Sequence, residues 1–309
     1  MKKIKIGTRQ SHLAIAQTQL IIDEVHRIYP DLDLEMVRIR TSGDVIQDKP
    51  LDQIGGKGLF IQEIETALLT GTVDLAVHSM KDLPVQIAPG LMIAAVSKRE
   101  DPRDALVSFG GETLDQLKPG AVVGTSSSRR AKQLLDMRPD LKIEMLRGNV
   151  LTRLEKLACR QYDARQYDAR QYDAIILAAA GLKRLGLAAK ITQYFTVQEM
   201  IPAVCQGILA LETRADEPCE FLEKAVHCEE AATCGAAERA FLIRLDGGCS
   251  VPLAAHAVIS GDQLKIRGML AEKDSSLIFR GEIAGAATDG VELGERLAAQ
   301  ILAQRGGGL

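Results

Sequence analysis

Short apolar runs alternate with amphipathic stretches along the first two thirds of the chain. Runs rich in Ile, Val and Leu read as strands at Ile4–Gly7, Leu34–Ile39, Leu75–Val77, Met92–Val96, Val122–Gly124, Lys142–Leu146 and Ala174–Leu177. Between them, apolar residues at helical spacing predict helices such as Ala14–Ile28, Leu59–Leu69 and Leu151–Leu157. This rhythm predicts α/β units with mostly parallel sheets. Around Arg99-Glu100-Asp101-Pro102-Arg103 the pattern becomes polar and broken, as expected of a crossing between two lobes. After about Cys228 it changes again. One long helix, Glu230–Leu245, glycine-punctuated strands and a final helix, Gly290–Ala303, predict a smaller α+β domain that ends in a disordered Gly306-Gly307-Gly308 tail.

One stretch keeps neither period. Gln161-Tyr162-Asp163-Ala164-Arg165 recurs as Gln166–Arg170, and a third copy begins at Gln171. A repeat of five cannot hold a single apolar face in a helix or a strand, so it is expected to form a solvated extension. It enters the next strand at its amino end, away from any crevice at the carboxyl ends.

Several predicted strands run directly into cations. Ala121–Val123 leads into Gly124-Thr125-Ser126-Ser127-Ser128-Arg129-Arg130, which reads as strand, tight turn and helix start. A helix N-terminus carries unpaired N–H groups and partial positive charge, and arginine adds planar, bidentate recognition of carboxylate or phosphate. Taken alone, the motif is better read as a capped helix with two solvated arginines. The same order recurs, however, at Ile4-Lys5-Ile6-Gly7-Thr8-Arg9-Gln10-Ser11, at Ile143–Leu146 followed by Arg147-Gly148-Asn149 and Arg153, and more weakly at Ile175–Leu177 leading to Lys183 and Arg184. In open α/β sheets such turns converge on one crevice, so the inferred ligand carries several negative charges.

Composition makes these cations local. The net charge is -3, with 46% hydrophobic and 26% charged residues, which is ordinary for a folded protein and unlike a nucleic-acid binder with a general basic surface. Trp is absent and aromatics are 4%, so no stacking platform for bases is visible. No apolar stretch reaches the length of a membrane span, and Met1-Lys2-Lys3-Ile4 passes into a strand without a secretory apolar region. The six cysteines lack paired CxxC spacing, so neither a metal site nor a disulfide framework is expected, and a reduced, cytoplasmic protein is.

Three other segments carry chemistry. Val77-His78-Ser79-Met80-Lys81-Asp82 runs from a buried strand into a polar turn, where Asp82 could pair with a positively charged intermediate or accept its N–H bonds. The plain reading is a surface Lys/Asp turn, and His78 fits a packed or solvent-facing histidine. Gly55-Gly56-Lys57-Gly58 lacks the full phosphate-loop pattern and reads as a mobile lid or cleft loop. Gly247-Gly248-Cys249-Ser250 places the Cys249 thiol on an irregular, accessible turn, suited to a nucleophile or attachment point; the other five cysteines are expected to be buried.

Ile6–Ser11, Gly56-Lys57-Gly58-Leu59-Phe60, Val77–Asp82, Gly124–Arg130, Arg147-Gly148-Asn149-Val150 and Gly247-Gly248-Cys249 resemble, collinearly over nearly the whole chain, the porphobilinogen deaminase (hydroxymethylbilane synthase) family. The resemblance implies two α/β lobes of the type II periplasmic-binding-protein kind, residues 1–98 with 206–226 and residues 102–203. It also implies a C-terminal α+β domain, 229–309, carrying a dipyrromethane cofactor on Cys249 through a thioether. The implied enzyme is a monomeric transferase. It condenses four porphobilinogen molecules head to tail with loss of ammonia, then hydrolytically releases a linear tetrapyrrole for haem biosynthesis. Asp82 corresponds to the family's catalytic carboxylate. Its cofactor-binding positions fall on Cys249, Arg129, Arg130, Ser127, Lys81, Asp82, Thr125, Ser79 and Gly148. Its substrate-binding positions fall on Arg9, Ser11, Gln17, Arg147, Arg153, Arg184, Lys57 and Phe60. Cations suit a substrate that brings two carboxylates per ring. A non-catalytic two-lobed anion-binding module is the alternative class, and it needs no reactive Cys249. Two features depart from the family: the added repeat, and Cys205 in Pro202-Ala203-Val204-Cys205-Gln206-Gly207 where glycine is usual, a position at which positive φ would strain a cysteine.

Overall fold

The computed structural model describes residues 3–41, 61–159, 172–217, 219–245 and 251–306. In chain order, β1 (Ile4–Arg9), α1 (His12–Ile28), β2 (Leu34–Ile39), α2 (Gln62–Leu69), β3 (Leu75–Ser79) and β4 (Leu91–Val96) build the first lobe. Strand alternation puts Ile6, Leu75 and Val77 on one face, where Ile21, Ile22 and Val25 of α1 cover them. A single 3-10 turn, Met80–Asp82, follows β3. The chain then crosses into a second sheet with β5 (Asp104–Ser108), β6 (Val122–Gly124), α3 (Ser128–Met137), β7 (Lys142–Glu144), α4 (Val150–Ala158), β8 (Ala174–Ala178), α5 (Ala179–Arg184) and β9 (Gln193–Tyr194). It returns to the first sheet as β10 (Leu209–Arg214) before α6 (Phe221–Ala225).

The sheet orders are β2-β1-β3-β10-β4 and β7-β6-β8-β5-β9. In each, three parallel strands are followed by one antiparallel strand, β10 or β5, supplied from the other side of a crossing. This repeated order is the two-lobed α/β arrangement that the resemblance implies. The sequence reading missed β5, β9 and β10 and overstated the parallel content. The cause is physical: β5 and β10 are buried nearly end to end, so they lack alternation, and Asp104 opens the first and Glu212 interrupts the second, charges with internal partners.

The two crossings run side by side, with Glu100 N donating to Gly207 O at 3.1 Å and Ser97 N to Leu209 O at 2.9 Å. Gly207 has φ +96, and a Cβ there would lie 2.2 Å from the Glu100 carbonyl oxygen. Gly207→Ala is therefore expected to part the crossings and lower the melting temperature by several degrees, as read by thermal denaturation. Cys205 keeps φ 60, the one positive value among described non-glycine residues. Its N–H donates to Glu238 Oε2 at 2.6 Å and its thiol lies 3.7 Å from Gly235 O, contacts that hold the strained backbone in place.

The third domain packs α7 (Glu229–Arg244) and α8 (Gly290–Gly306) on an antiparallel sheet of β11 (Leu253–Ser260), β12 (Gln263–Ala271) and β13 (Ile278–Ala286). Phe241, Leu264, Ile266, Leu297 and Ile301 form its core, and the same apolar cluster continues into Met80, Leu83 and Val96 of the first lobe. Toward α3 of the second lobe its contacts are polar: Arg280 with Asp136 at 2.7 Å and Lys132 Nζ with Ser275 O. The last helix runs to Gly306, past the predicted end at Ala303, so the expected tail does not begin there; residues 307–309 lie outside the described residues.

Tyr172 and Asp173 correct the reading of the repeat. Tyr172 is 5% exposed, donates to Met145 O at 2.7 Å and lies where a Cβ on Gly124 would approach its ring to 2.7 Å; Asp173 accepts from Val122 N. The third copy thus belongs to the second lobe's core, because it leads directly into β8. Residues 160–171, with the two preceding copies, lie outside the described residues. Of the five other cysteines, Cys205 and Cys234 are buried, Cys219 and Cys228 are half-buried, and Cys159 is exposed beyond α4, contrary to the expectation of general burial. No described helix is long and apolar enough to cross a membrane.

Candidate active site

Three strand-to-helix turns meet between the lobes, and each caps its own helix. Ser11 Oγ accepts from Ala14 N at 3.2 Å, Ser127 Oγ from Arg130 N at 3.4 Å, and Asn149 Oδ1 from Thr152 N at 3.0 Å. The oxygens of Ser11 and Ser127 therefore satisfy the helix starts, while each hydroxyl keeps its own proton to donate.

The pair Arg129-Arg130 is equally buried but divided by what each side chain reaches. Arg129, 6% exposed, donates to Asp104 Oδ2 at 2.7 Å and to Ile201 O at 2.8 Å and does not line the crevice. Arg130 donates to Asp104 Oδ1 through Nε at 3.0 Å and through a terminal nitrogen at 2.7 Å, and to Ile176 O at 3.0 Å, yet still lines the crevice wall. Burial pushes the Asp104 carboxyl up, but the two guanidiniums outweigh it and hold the group well below the ordinary carboxylate range. The reading of both arginines as aimed at ligand is corrected for Arg129: a buried acid at the start of β5 claims it. Thr125 is also buried and accepts from Ser127 N at 3.1 Å, so it shapes the turn behind the wall.

The crevice encloses about 490 Å³. Arg9, Ser11, Gln17, Ser79, Lys81 and Asp82 line it from the first lobe, and Arg130, Arg147, Gly148, Arg153 and Arg184 from the second. Among its described lining residues are six cations and one carboxylate, Asp82. Gln17 Nε2 donates to Ser79 Oγ at 2.9 Å and ties α1 to the end of β3, just before the turn that carries Lys81 and Asp82. Arg153 Nε donates to Gly148 O at 2.8 Å and Arg184 to Gly207 O at 2.6 Å, which orients both. Burial, reinforced by Arg130 and Arg147 and opposed by Asp82, lowers Arg153 to about 10. Burial also lowers Arg184 to about 10 against the attraction of Glu100 and Glu24, so both stay charged at neutral pH. Crowding of like charge in a half-closed space is a cost that a polyanionic ligand removes.

Lys57, Phe60 and Cys249 lie outside the described residues. Lys183, read as a possible ligand cation, instead pairs with Asp101 at 2.8 Å. His78 is 6% exposed and meets Glu212 Oε2 at 3.1 Å, a packed histidine. Sequence reasoning overlooked Gln206 and Asp104. The signal for Asp104 was an acid opening an apolar run, which demands buried cations; Gln206 sat beside the departure already noted at Cys205. Among the described residues, no group of three His, Cys, Asp or Glu side chains is disposed to hold a metal ion.

Fold and site together define a two-lobed α/β protein built around a cationic crevice for a polycarboxylate, with a third domain beneath it. The chain belongs to the porphobilinogen deaminase family: the model of its dipyrromethane cofactor binding domain matches residues 4–220, and that of its C-terminal domain matches residues 232–303. The porphobilinogen deaminase of Syntrophus aciditrophicus (strain SB) is 49% identical over 97% of this chain and 95% of its own. That of Geobacter sulfurreducens is 45% identical over 99% and 93%. Among solved structures, the BenM effector binding domain with its effector benzoate is similar at 14% identity, covering 72% of this chain and 88% of its own, with a TM-score of 0.42. A nutrient binding protein from Burkholderia cenocepacia bound to methionine is similar at 15% identity, 78% and 95% coverage and a TM-score of 0.41. Likeness at that level carries no argument about the site.

Proposed function

We propose that the chain condenses four porphobilinogen molecules stepwise, with loss of ammonia, onto a dipyrromethane primer joined to Cys249, and then releases the linear tetrapyrrole hydroxymethylbilane by hydrolysis. The observation that carries this reading is the crevice wall of six cations from two lobes around one carboxylate. Its donor set fits a pyrrole chain bearing acetate and propionate groups and suits a neutral or cationic ligand poorly.

When bound, the dipyrromethane supplies the free pyrrole position at which growth begins. Arg130, Lys81, Ser79 and Gly148, which line the crevice, would hold its carboxylates, with Ser127 and Thr125 fixing the turn behind them and Arg129 anchoring that turn to Asp104. Arg9, Arg147, Arg153 and Arg184, with Ser11 and Gln17, face the same space and bind the acid groups of incoming porphobilinogen. Loss of ammonia from porphobilinogen leaves positive charge on its ring nitrogen. Asp82 provides the opposing charge and accepts the ring N–H.

We further place the protein in the cytoplasm as a monomer. Among the described cysteines none forms a disulfide, as suits a reducing compartment.

Intact-protein mass spectrometry tests the reading. Purified wild type is expected to weigh more than its residues by one dipyrromethane, to show a ladder of heavier species on adding porphobilinogen, and to lose both features in Cys249→Ser. An unmodified wild type that leaves porphobilinogen unconsumed overturns it.

A further inference from the structure

Gln206 stands where the two crossings and both lobes meet, and it is fully buried. Its Nε2 donates to Pro102 O at 2.7 Å and to Asp104 Oδ1 at 3.0 Å, two acceptors on the second-lobe side. That fixes the amide: the opposite face must present Oε1, which accepts from Lys81 Nζ of the first lobe at 3.3 Å. A flipped amide would set oxygen against two oxygens and N–H against an ammonium. Asp104 in turn holds Arg130 on the crevice wall. A continuous polar path thus runs from Lys81 through Gln206 and Asp104 to Arg130, along the crevice floor and from one lobe to the other.

We infer that Gln206 is a positioning residue of the condensation: its amide oxygen holds the Lys81 ammonium beside Asp82 and couples that ammonium to the second lobe through Asp104. This rests on the crevice being the porphobilinogen site. The charged groups bearing on Lys81 are Asp82 on its own turn, Asp104 on β5, and Arg130 and Arg129 on α3. Burial, opposed by Asp82 and Asp104 and reinforced by the two arginines, brings Lys81 down to about 8. Loss of the Gln206 acceptor is therefore expected to lower the share of Lys81 that is charged near neutral pH.

The test uses purified holoenzyme with Gln206→Met, which keeps bulk without hydrogen bonding, and Gln206→Glu, which keeps the acceptor. Lysine labelled with 13C at Cε reports the Lys81 titration directly, assigned through Lys81→Arg, alongside kcat, KM and their pH profiles. Gln206→Met is expected to lower kcat about tenfold to 100-fold with little change in KM. It should also move the Lys81 titration and the alkaline limb of kcat down by about one pH unit. Gln206→Glu is expected to move both up, despite a lower melting temperature from placing a carboxylate against Asp104 and Pro102 O. If Lys81 titrates alike in all three proteins and the rate losses track melting temperature, Gln206 is merely structural and the inference fails. That outcome, in a wild type that carries its cofactor and consumes porphobilinogen, leaves the proposed function standing.

Discussion

Asp82→Asn folds, melts within a degree or two of wild type and loses roughly 100-fold to 1,000-fold in turnover: that is the result expected from the crevice. Asparagine preserves the size and the acceptor oxygen but removes the single negative charge among the described lining residues. Every other ionised group on that wall repels the positive charge that forms on the reacting ring, so no neighbour can substitute. The 3-10 turn from Met80 to Asp82 is anchored by backbone bonds, Met80 N to Ile208 O at 3.0 Å and Leu83 N to Met80 O at 3.2 Å, and does not depend on the carboxylate. The loss should therefore fall on kcat. Ammonia release under saturating porphobilinogen is the measurement, and a normal steady-state rate refutes the role given to Asp82.

The second large effect concerns stability. Asp104 is fully buried and is the shared counter-ion of Arg129 and Arg130, each 6% exposed. Asp104→Asn leaves two buried guanidiniums facing a neutral amide, and removal of one partner from such a group costs about 3–5 kcal/mol. Urea unfolding should show the loss as a lower midpoint with an unchanged slope. The pH dependence has a definite sign. Because the folded value of Asp104 is depressed, its contribution is complete above the ordinary carboxylate value of about 4 and is lost as pH falls below it. The gap in stability between wild type and variant is then constant from neutral pH down to about 5 and narrows under more acid conditions. Glu238, also depressed although burial opposes this, because Arg99 and His256 lie beside it, leaves the variant with some acid sensitivity of its own. A gap that stays constant down to acid unfolding would show that the Asp104 charge contributes nothing.

Much of this architecture was legible in the chain. Val122–Gly124 and Leu34–Ile39 are strands at the predicted bounds, and the cations after β1, β6, β7 and β8 do converge, because turns at the carboxyl ends of neighbouring parallel strands open on one side. What escaped was whatever depends on partners distant in sequence. Asp104 reads locally as a polar residue at a break, and its partners stand 25 and 26 residues away. Tyr172 belongs to a repeated pentapeptide whose earlier copies share its sequence but not its place before β8. Ser11 and Ser127 were read as ligand donors; their oxygens also cap helices, a second role that the motif did not announce and that leaves each hydroxyl its own proton to give. Of the cations that the motifs pointed to, Arg9, Arg130, Arg147, Arg153 and even the weakly signalled Arg184 line the crevice.

The unequal seating of the third domain has a mechanical consequence. Its core is continuous with Met80, Leu83 and Val96, whereas an ion pair with both side chains about two-fifths exposed and one further polar bond join it to α3. Surface pairs of that kind are worth at most about 1 kcal/mol, so they yield long before the apolar junction does. Ile201, whose backbone is held by Arg129 and Gln133 of α3, is however buried against Ala254, Met269 and Ala271 of the third domain, so parting that domain from the second lobe uncovers a small apolar contact as well as the two polar ones.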